Sequence, residues 1–216
     1  MPVTKTEFSS QRFKALLFDF DGTLLDSFPV HFDVFKTMFA RFGIRIDKQR
    51  FLDSYSPNWY KTYEAMGLPQ NDWKWADQIW LDEVAHRQPY LFTGVRDALV
   101  QLKQRYVLGL VTSGSKSRVE RDLDKTGIKP YFKAVVTGDD TRRPKPDPDG
   151  LEAALGMLAL RPDEAAYVGD ANADHEMARS AGVPFIGVRS AYDRFAGDGE
   201  FACLNSVTEL PGLLGI

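Results

Sequence analysis

Phe18-Asp19-Phe20-Asp21-Gly22-Thr23-Leu24-Leu25-Asp26-Ser27 places two carboxylates two residues apart where an apolar run, Lys14-Ala15-Leu16-Leu17-Phe18, comes to its end. A short run of that kind reads as a buried strand, and residues at i and i+2 of an extended chain project to one side. Asp19 and Asp21 can therefore act on a common ligand. Gly22 permits a sharp backbone exit, and the Thr23 hydroxyl can lock the turn through a local hydrogen bond. Two neighbouring carboxylates in a partly dry site repel each other, so they call for a cation, or else one of them holds a proton. Taken alone, Asp21-Gly22 is also ordinary turn chemistry.

Three further stretches repeat the theme of an apolar run that ends in polar groups. Val107-Leu108-Gly109-Leu110-Val111-Thr112-Ser113-Gly114-Ser115 leads into a helical pattern, with Ser115 as its N-cap and Gly127 as its stop. Backbone N–H groups at such a junction, with the Thr112 hydroxyl, form a cradle for phosphate oxygens; a strand, a cap and a turn is the plainer reading. In Arg142-Arg143-Pro144-Lys145-Pro146-Asp147-Pro148, prolines on both sides hold Lys145 in extended backbone. That aims an ammonium at a fixed point, although a loop lysine is also a common solvated charge. Ala165-Ala166-Tyr167-Val168-Gly169-Asp170-Ala171-Asn172-Ala173-Asp174 ends a strand at Asp170 and puts Asp174 in the first turn of a helix that Gly182 stops. Complementing the helix dipole would explain Asp174 but not Asp170.

In this order, Asp-x-Asp-Gly-Thr, a Thr/Ser after a strand, a loop lysine and Gly-Asp-x-x-x-Asp resemble the haloacid dehalogenase-like hydrolase superfamily. The resemblance runs from Lys14 to about Val188, and four motifs agreeing in order and context are far more specific than any one of them. It implies an α/β fold, a doubly wound parallel (Rossmann-like) sheet, and an inserted helical cap. The strand-like runs Ala15 to Phe20, Val107 to Thr112, Ala134 to Thr137, Ala166 to Gly169 and Pro184 to Val188 alternate with helical patterns. That rhythm argues for the same sheet, with ligands beyond its strand ends.

The expected domains are a core of residues 1–27 and 92–216 and a cap of residues 28–91. Helices are expected at Val30 to Phe42, Trp59 to Met66 and Trp73 to His86, with linkers at Ser27 to Val30 and Pro89 to Gly94. Trp59, Trp73, Trp75 and Trp80 all fall in the cap. A small helical unit needs large side chains to form any core. The alternative is that one or two of them line a pocket, and Trp59, after Tyr55-Ser56-Pro57-Asn58, is the candidate. His31 is either a packing histidine or a substrate-contacting one. No His spacing suggests zinc.

Composition sets outer limits. The chain has 216 residues, 44% of them hydrophobic, and a net charge of −3. It can bury a full core plus one small insertion, and the mixed charge offers no footprint for nucleic acid. No apolar run reaches the ~18 residues of a membrane span. Met1 to Arg12 lacks the apolar stretch of a signal peptide. The single cysteine, Cys203, excludes an internal disulfide framework and fits a cytoplasmic location. The expected assembly is a monomer or a homodimer.

By resemblance, Asp19 is the nucleophile that forms an aspartyl-phosphate, and Asp21 is the acid that protonates the leaving group and then activates water. Mg²⁺ is held by Asp19, Asp170 and the Asp21 backbone carbonyl. Thr112, Ser113, Gly114 and Lys145 bind the phosphoryl group, Asp174 orients a bound water or Lys145, and Thr23 supports the turn. The implied activity is hydrolysis of a small phosphorylated metabolite in the manner of phosphoglycolate phosphatase-like members. Dehalogenases lack a carboxylate at the position of Asp21. Phosphosugar mutases tend to carry a cap arginine, absent from residues 55–58, and Glu-Asp in place of Gly169-Asp170. Thr93, where a proline often precedes Gly94, departs from the subgroup. A nucleotidase, a pyrophosphatase and a non-catalytic binding protein on the same scaffold are the remaining alternatives.

Overall fold

A computed structural model describes residues 13–56, 58–190 and 201–216. The strands are β1 (Ala15–Phe18), β2 (Val107–Val111), β3 (Phe132–Val136), β4 (Ala165–Gly169), β5 (Phe185–Val188) and β6 (Ala202–Leu204). They form one sheet in the order β3-β2-β1-β4-β5-β6, every pair parallel. The chain order reverses between β1 and β4, and a sheet of this kind opens its ligand crevice at that point, beyond the carboxyl ends of the strands.

The period-2 alternation of buried strands distributes side chains to two cores. Leu16, Phe18, Leu108, Leu110, Ala166 and Val168 pack on one face with Val95, Leu99 and Leu102 of helix α5 (Val95–Leu102) and Val119 and Leu123 of α6 (Lys116–Thr126). Ala15, Leu17, Val111 and Tyr167 face the other way, against Leu151 and Leu155 of α7 (Asp149–Leu158) and Met177 of α8 (Asn172–Ala181). Both faces are covered, as a parallel sheet requires. A last short helix, α9 (Leu210–Leu213), adds Leu210 to the first core.

The chain separates into two compact units, Met1–Asp26 with Tyr90–Ile216, and Ser27–Pro89. Among the described residues of the second unit the regular elements are helices, α1 (Phe28–Ala40), α2 (Lys48–Ser54), α3 (Trp59–Met66) and α4 (Trp73–Ala85), with a 3-10 turn before α4. Its interior is aromatic. The Phe35 ring lies 5.2 Å from Phe51, 5.9 Å from Trp80 and 6.4 Å from Tyr63, spacings at which ring edges and faces attract. The Tyr63 hydroxyl donates to Asp77 at 3.0 Å, which satisfies its polar end.

Several local features differ from what the chain suggested. β1 stops at Phe18, two residues early, because the N–H groups of Leu24 and Leu25 both turn back to the Phe20 carbonyl at 2.9 Å. The segment Ser27 to Val30 is no linker: α1 begins at Phe28, and Pro29 falls in its first turn, where a missing N–H costs nothing. Helix α2 was not anticipated, being seven residues with one buried side chain, Phe51. Asp47, accepting from the Arg50 N–H at 2.8 Å, is the cap that starts it. The three-residue edge strand β6 was likewise missed. Among the described residues, no helix is long and apolar enough to cross a membrane.

Candidate active site

Asp19 leaves the end of β1 and Asp170 the end of β4, the two strands that flank the switch point. The Asp19 N–H donates to the Val168 carbonyl at 2.8 Å, so the ladder itself fixes where the side chain starts. Carboxylate oxygens of Asp19, Asp170 and Asp174 lie within 4.8 Å of one another, and all three residues are buried. Lys145 enters from the loop after β3. Its Nζ donates to Asp19 Oδ1 at 2.6 Å, to Asp174 Oδ1 at 2.8 Å and to the Tyr167 hydroxyl at 2.7 Å. Its side chain is only 6% exposed, so this lysine is no solvated surface charge.

Electrostatics follow from the crowding. Burial pushes the Asp19 carboxyl up to about 7, with Asp174 adding to the rise and Lys145 opposing it. Burial, reinforced by Asp19 and Asp174, also raises Asp170 well above the usual carboxylate range. Lys145 goes the way of its partners: burial would lower it, but the Asp174 and Asp19 charges win and hold it protonated. Three carboxylates around one ammonium leave an excess of negative charge in a dry place. An all-oxygen donor set of this kind suits a hard divalent cation.

Asp174 has two tasks besides Lys145. Its Oδ2 accepts the N–H groups of Asp170 at 3.2 Å and Ala171 at 3.0 Å, which secures the turn into α8. Gly169 is required there, since a Cβ would stand 2.7 Å from the Asp174 side chain. Gly22, at φ +84°, is in the left-handed region, and a Cβ on it would come within 2.8 Å of Asp170 Cγ. Thr23 acts at long range rather than locally: its Oγ1 donates to Asp170 Oδ1 at 3.0 Å. The Ser190 hydroxyl donates to the other oxygen of Asp170.

Thr112 sits at the end of β2, beside β1, with its N–H on the Val136 carbonyl at 3.0 Å and its Oγ1 accepting from the Gly114 N–H at 3.2 Å. The hydroxyls of Ser113 and Ser115 are shielded and have no hydrogen-bond partner among the described residues. Ser115 holds the N-cap position of α6 without a side-chain bond. Asp139 caps that end instead, accepting from the Lys116 N–H at 2.8 Å. Asp21 points to a different partner from Asp19: both of its oxygens accept from the Arg118 guanidinium, Oδ1 at 3.1 Å.

His31 and Trp59 belong to the helical unit. There the His31 ring lies 5.6 Å from Trp80 and the Trp59 ring 5.3 Å from it. Tyr60 stacks on Trp73 at 5.0 Å, and Phe42 meets Trp75 at 5.0 Å. Tyr167, Arg118 and Ser190 were not anticipated. A tyrosine in the otherwise apolar run Ala165–Gly169 was the one visible signal, since a buried hydroxyl needs a partner.

The profile of the haloacid dehalogenase-like hydrolases matches residues 16–188, the greater part of the chain and every core motif. The chain belongs to this family. A relative of this hydrolase is the validoxylamine A 7'-phosphate phosphatase of Streptomyces hygroscopicus subsp. limoneus, 30% identical, with 92% of this chain and 96% of that one covered. The phosphoglycolate phosphatase of Salmonella typhi is 28% identical over 85% of this chain and 84% of its own. A haloacid dehalogenase-like hydrolase from Streptococcus pneumoniae superposes with a TM-score of 0.81 at 22% identity, covering 93% of this chain and 98% of that one. The hydrolase is a phosphatase of the phosphoglycolate phosphatase-like subgroup.

Proposed function

We propose that the chain is a Mg²⁺-dependent phosphomonoester hydrolase that passes its substrate's phosphoryl group through Asp19. The observation that carries this reading is the buried ammonium of Lys145, bonded to both Asp19 and Asp174, beside Asp170. A nucleophilic carboxylate must be ionised and aimed, and Lys145 does both: it opposes protonation of Asp19 and holds one oxygen, leaving the other for attack. Asp19, Asp170 and the Asp21 carbonyl would hold Mg²⁺, which supplies positive charge against the phosphate oxygens.

In the first half-reaction an Asp19 oxygen bonds to phosphorus, the bond to the leaving oxygen breaks, and Asp21 delivers a proton to that oxygen. In the second, Asp21 takes a proton from a water whose oxygen bonds to the phosphorus of the aspartyl-phosphate; the bond from phosphorus to the Asp19 oxygen breaks, which restores the Asp19 carboxylate and releases inorganic phosphate. Thr112, Ser113, Gly114 and Lys145 bind the phosphoryl oxygens; hydroxyls shielded without partners, as at Ser113, suit an incoming acceptor. Asp174 positions Lys145, and Thr23 positions Asp170. In this reading residues 1–27 and 92–216 carry the chemistry, and residues 28–91 carry selectivity, with His31 and Trp59 as substrate contacts. The substrate is a small phosphorylated metabolite; the two relatives named above act on unlike esters, so the family leaves its identity open.

The test is phosphate release with Mg²⁺ across a panel of sugar phosphates, phosphoglycolate, nucleotides and pyrophosphate, alongside Asp19→Asn. Hydrolysis of small esters that vanishes in Asp19→Asn is expected. Nucleotides or pyrophosphate at the head of the panel would shift the reading to a nucleotidase or pyrophosphatase, and interconversion of sugar phosphates without phosphate release to a mutase. No turnover of any member would end the enzymatic reading.

A further inference from the structure

The Asp21 carboxylate lies in the fork of a guanidinium that none of the four motifs includes. Arg118 is in the first turn of α6 and only 4% exposed, although arginine is among the residues least often buried. Nη1 and Nη2 reach the two oxygens of Asp21, and Nη1 also donates to Asp122 Oδ2 at 3.3 Å. Asp122, one turn further along α6, is itself braced by Arg121, whose Nε and Nη2 meet its Oδ1 at 2.8 and 2.6 Å. The result is a chain of alternating charge, buried at Arg118 and Asp122, that ends on Asp21. Gly114 makes room for it: a Cβ there would stand 3.1 Å from Arg118 Cζ and 2.9 Å from the Val119 side chain.

A two-point fork restricts a carboxylate in direction as well as distance, which a single lysine contact does not. A carboxylate has about four lone-pair sites, more than a two-point fork occupies. We propose that Arg118 is a positioning residue that sets the direction of the Asp21 carboxylate for proton transfer, and that Gly114 and Asp122 hold the guanidinium in that orientation. This inference rests on the phosphatase reading and the acid–base role given there to Asp21. It makes Arg118 matter most where the leaving oxygen needs a proton. An alkoxide leaving group must be protonated as its bond to phosphorus breaks, whereas p-nitrophenolate departs without help.

The experiment compares kcat/KM for the best alkyl phosphate in the panel and for p-nitrophenyl phosphate, in the wild type, Arg118→Met, Arg118→Lys, Asp21→Asn and the double variant Arg118→Met/Asp21→Asn. Because kcat/KM reports only the steps through aspartyl-phosphate formation, later hydrolysis does not mask the effect. Arg118→Met is expected to lose about 10²-fold on the alkyl ester, within the range of general acid catalysis, and no more than about threefold on the aryl ester. Arg118→Lys recovers part of the alkyl loss, and the double variant is no worse than Asp21→Asn alone. Asp122→Asn, which keeps the arginine, shows the same alkyl-selective bias in weaker form and covers the case in which Arg118→Met fails to fold. Equal losses on both esters from an active wild type, or additive losses in the double variant, overturn this inference alone. A wild type that hydrolyses neither ester overturns the phosphatase reading and this inference with it.

Discussion

Gly22→Ala tests whether the glycine after the paired aspartates serves the backbone, the metal cluster, or both. At φ +84° an L-residue incurs about 1–2 kcal/mol from contact between Cβ and the following carbonyl. The new methyl would also sit 2.8 Å from Asp170 Cγ, where carbons pack at about 3.5–4.0 Å, so the carboxylate must retreat by roughly 1 Å. That retreat stretches the 3.0 Å bond from Thr23, and hydrogen bonds to charged groups contribute about 1.5–3 kcal/mol. The total is about 3 kcal/mol, or a fall in Tm of about 6–12 °C at ~2–4 °C per kcal/mol for a chain of this size. The catalytic effect should be far larger than the stability effect implies: a 1 Å displacement at the chemistry costs about 10²-fold in rate, and half-saturation by Mg²⁺ should rise with it. Gly182→Ala is the control. It carries the same kind of backbone strain at φ +69° but meets nothing nearer than 3.9 Å, so it should lose only ~1–2 kcal/mol with its rate within about twofold of wild type. Calorimetry and steady-state assays across Mg²⁺ concentrations supply both readouts. A Gly22→Ala protein with the wild-type rate and Mg²⁺ dependence, or a Gly182→Ala protein equally inactive, would refute the reasoning.

Removing the hydroxyl in Tyr167→Phe leaves Lys145 with two carboxylate partners but without its 2.7 Å bond; stability should drop by about 1–2 kcal/mol in urea denaturation, and an unchanged midpoint would argue against the bond. Lys145→Met strands Asp19 and Asp174 in a buried site, so turnover on every ester should fall by more than about 10³-fold; a loss under tenfold would remove Lys145 from the machinery. The raised Asp19 and Asp170 carboxyls bind protons more tightly in the folded than in the unfolded chain. Their contribution to metal-free stability is complete below about pH 4; the Asp19 part is lost as pH climbs through about 7, and Asp170, also raised, adds a loss in the same direction. Mg²⁺ competes with those protons, so the rise in Tm on adding Mg²⁺ should be larger at pH 8 than at pH 5.5; a constant or shrinking increment would contradict the assignment. In the helical unit, Tyr63→Phe should cost about 1 kcal/mol through the lost bond to Asp77 while Phe35→Ala costs about 3–5, separating its polar from its apolar support in the same thermal scans.

The parallel sheet and the acids at its strand ends were legible because both depend on local pattern. Buried strands of a parallel sheet read as unbroken apolar runs, and each ends within a residue or two of its functional group: Phe18 before Asp19, Val111 before Thr112, Gly169 before Asp170. Short elements such as α2 and β6 were not legible, because seven or three residues carry too little periodicity to stand out. The partners of the polar groups were beyond reach for another reason. Thr23 offers a hydroxyl to any acceptor, and only the pairing of β1 with β4 brings Asp170, 147 residues away, into range. Arg118 and Asp122 look in sequence like one more charged i,i+4 pair on a helix surface; only the packing of α6 on the sheet buries them and turns the guanidinium onto Asp21. Sequence by itself determined which groups this protein brings to its strand ends, since that follows from side-chain type and spacing. Tertiary structure alone decided which of those groups face one another, because direction and distance between strands and helices far apart in the chain exist only once the sheet has closed.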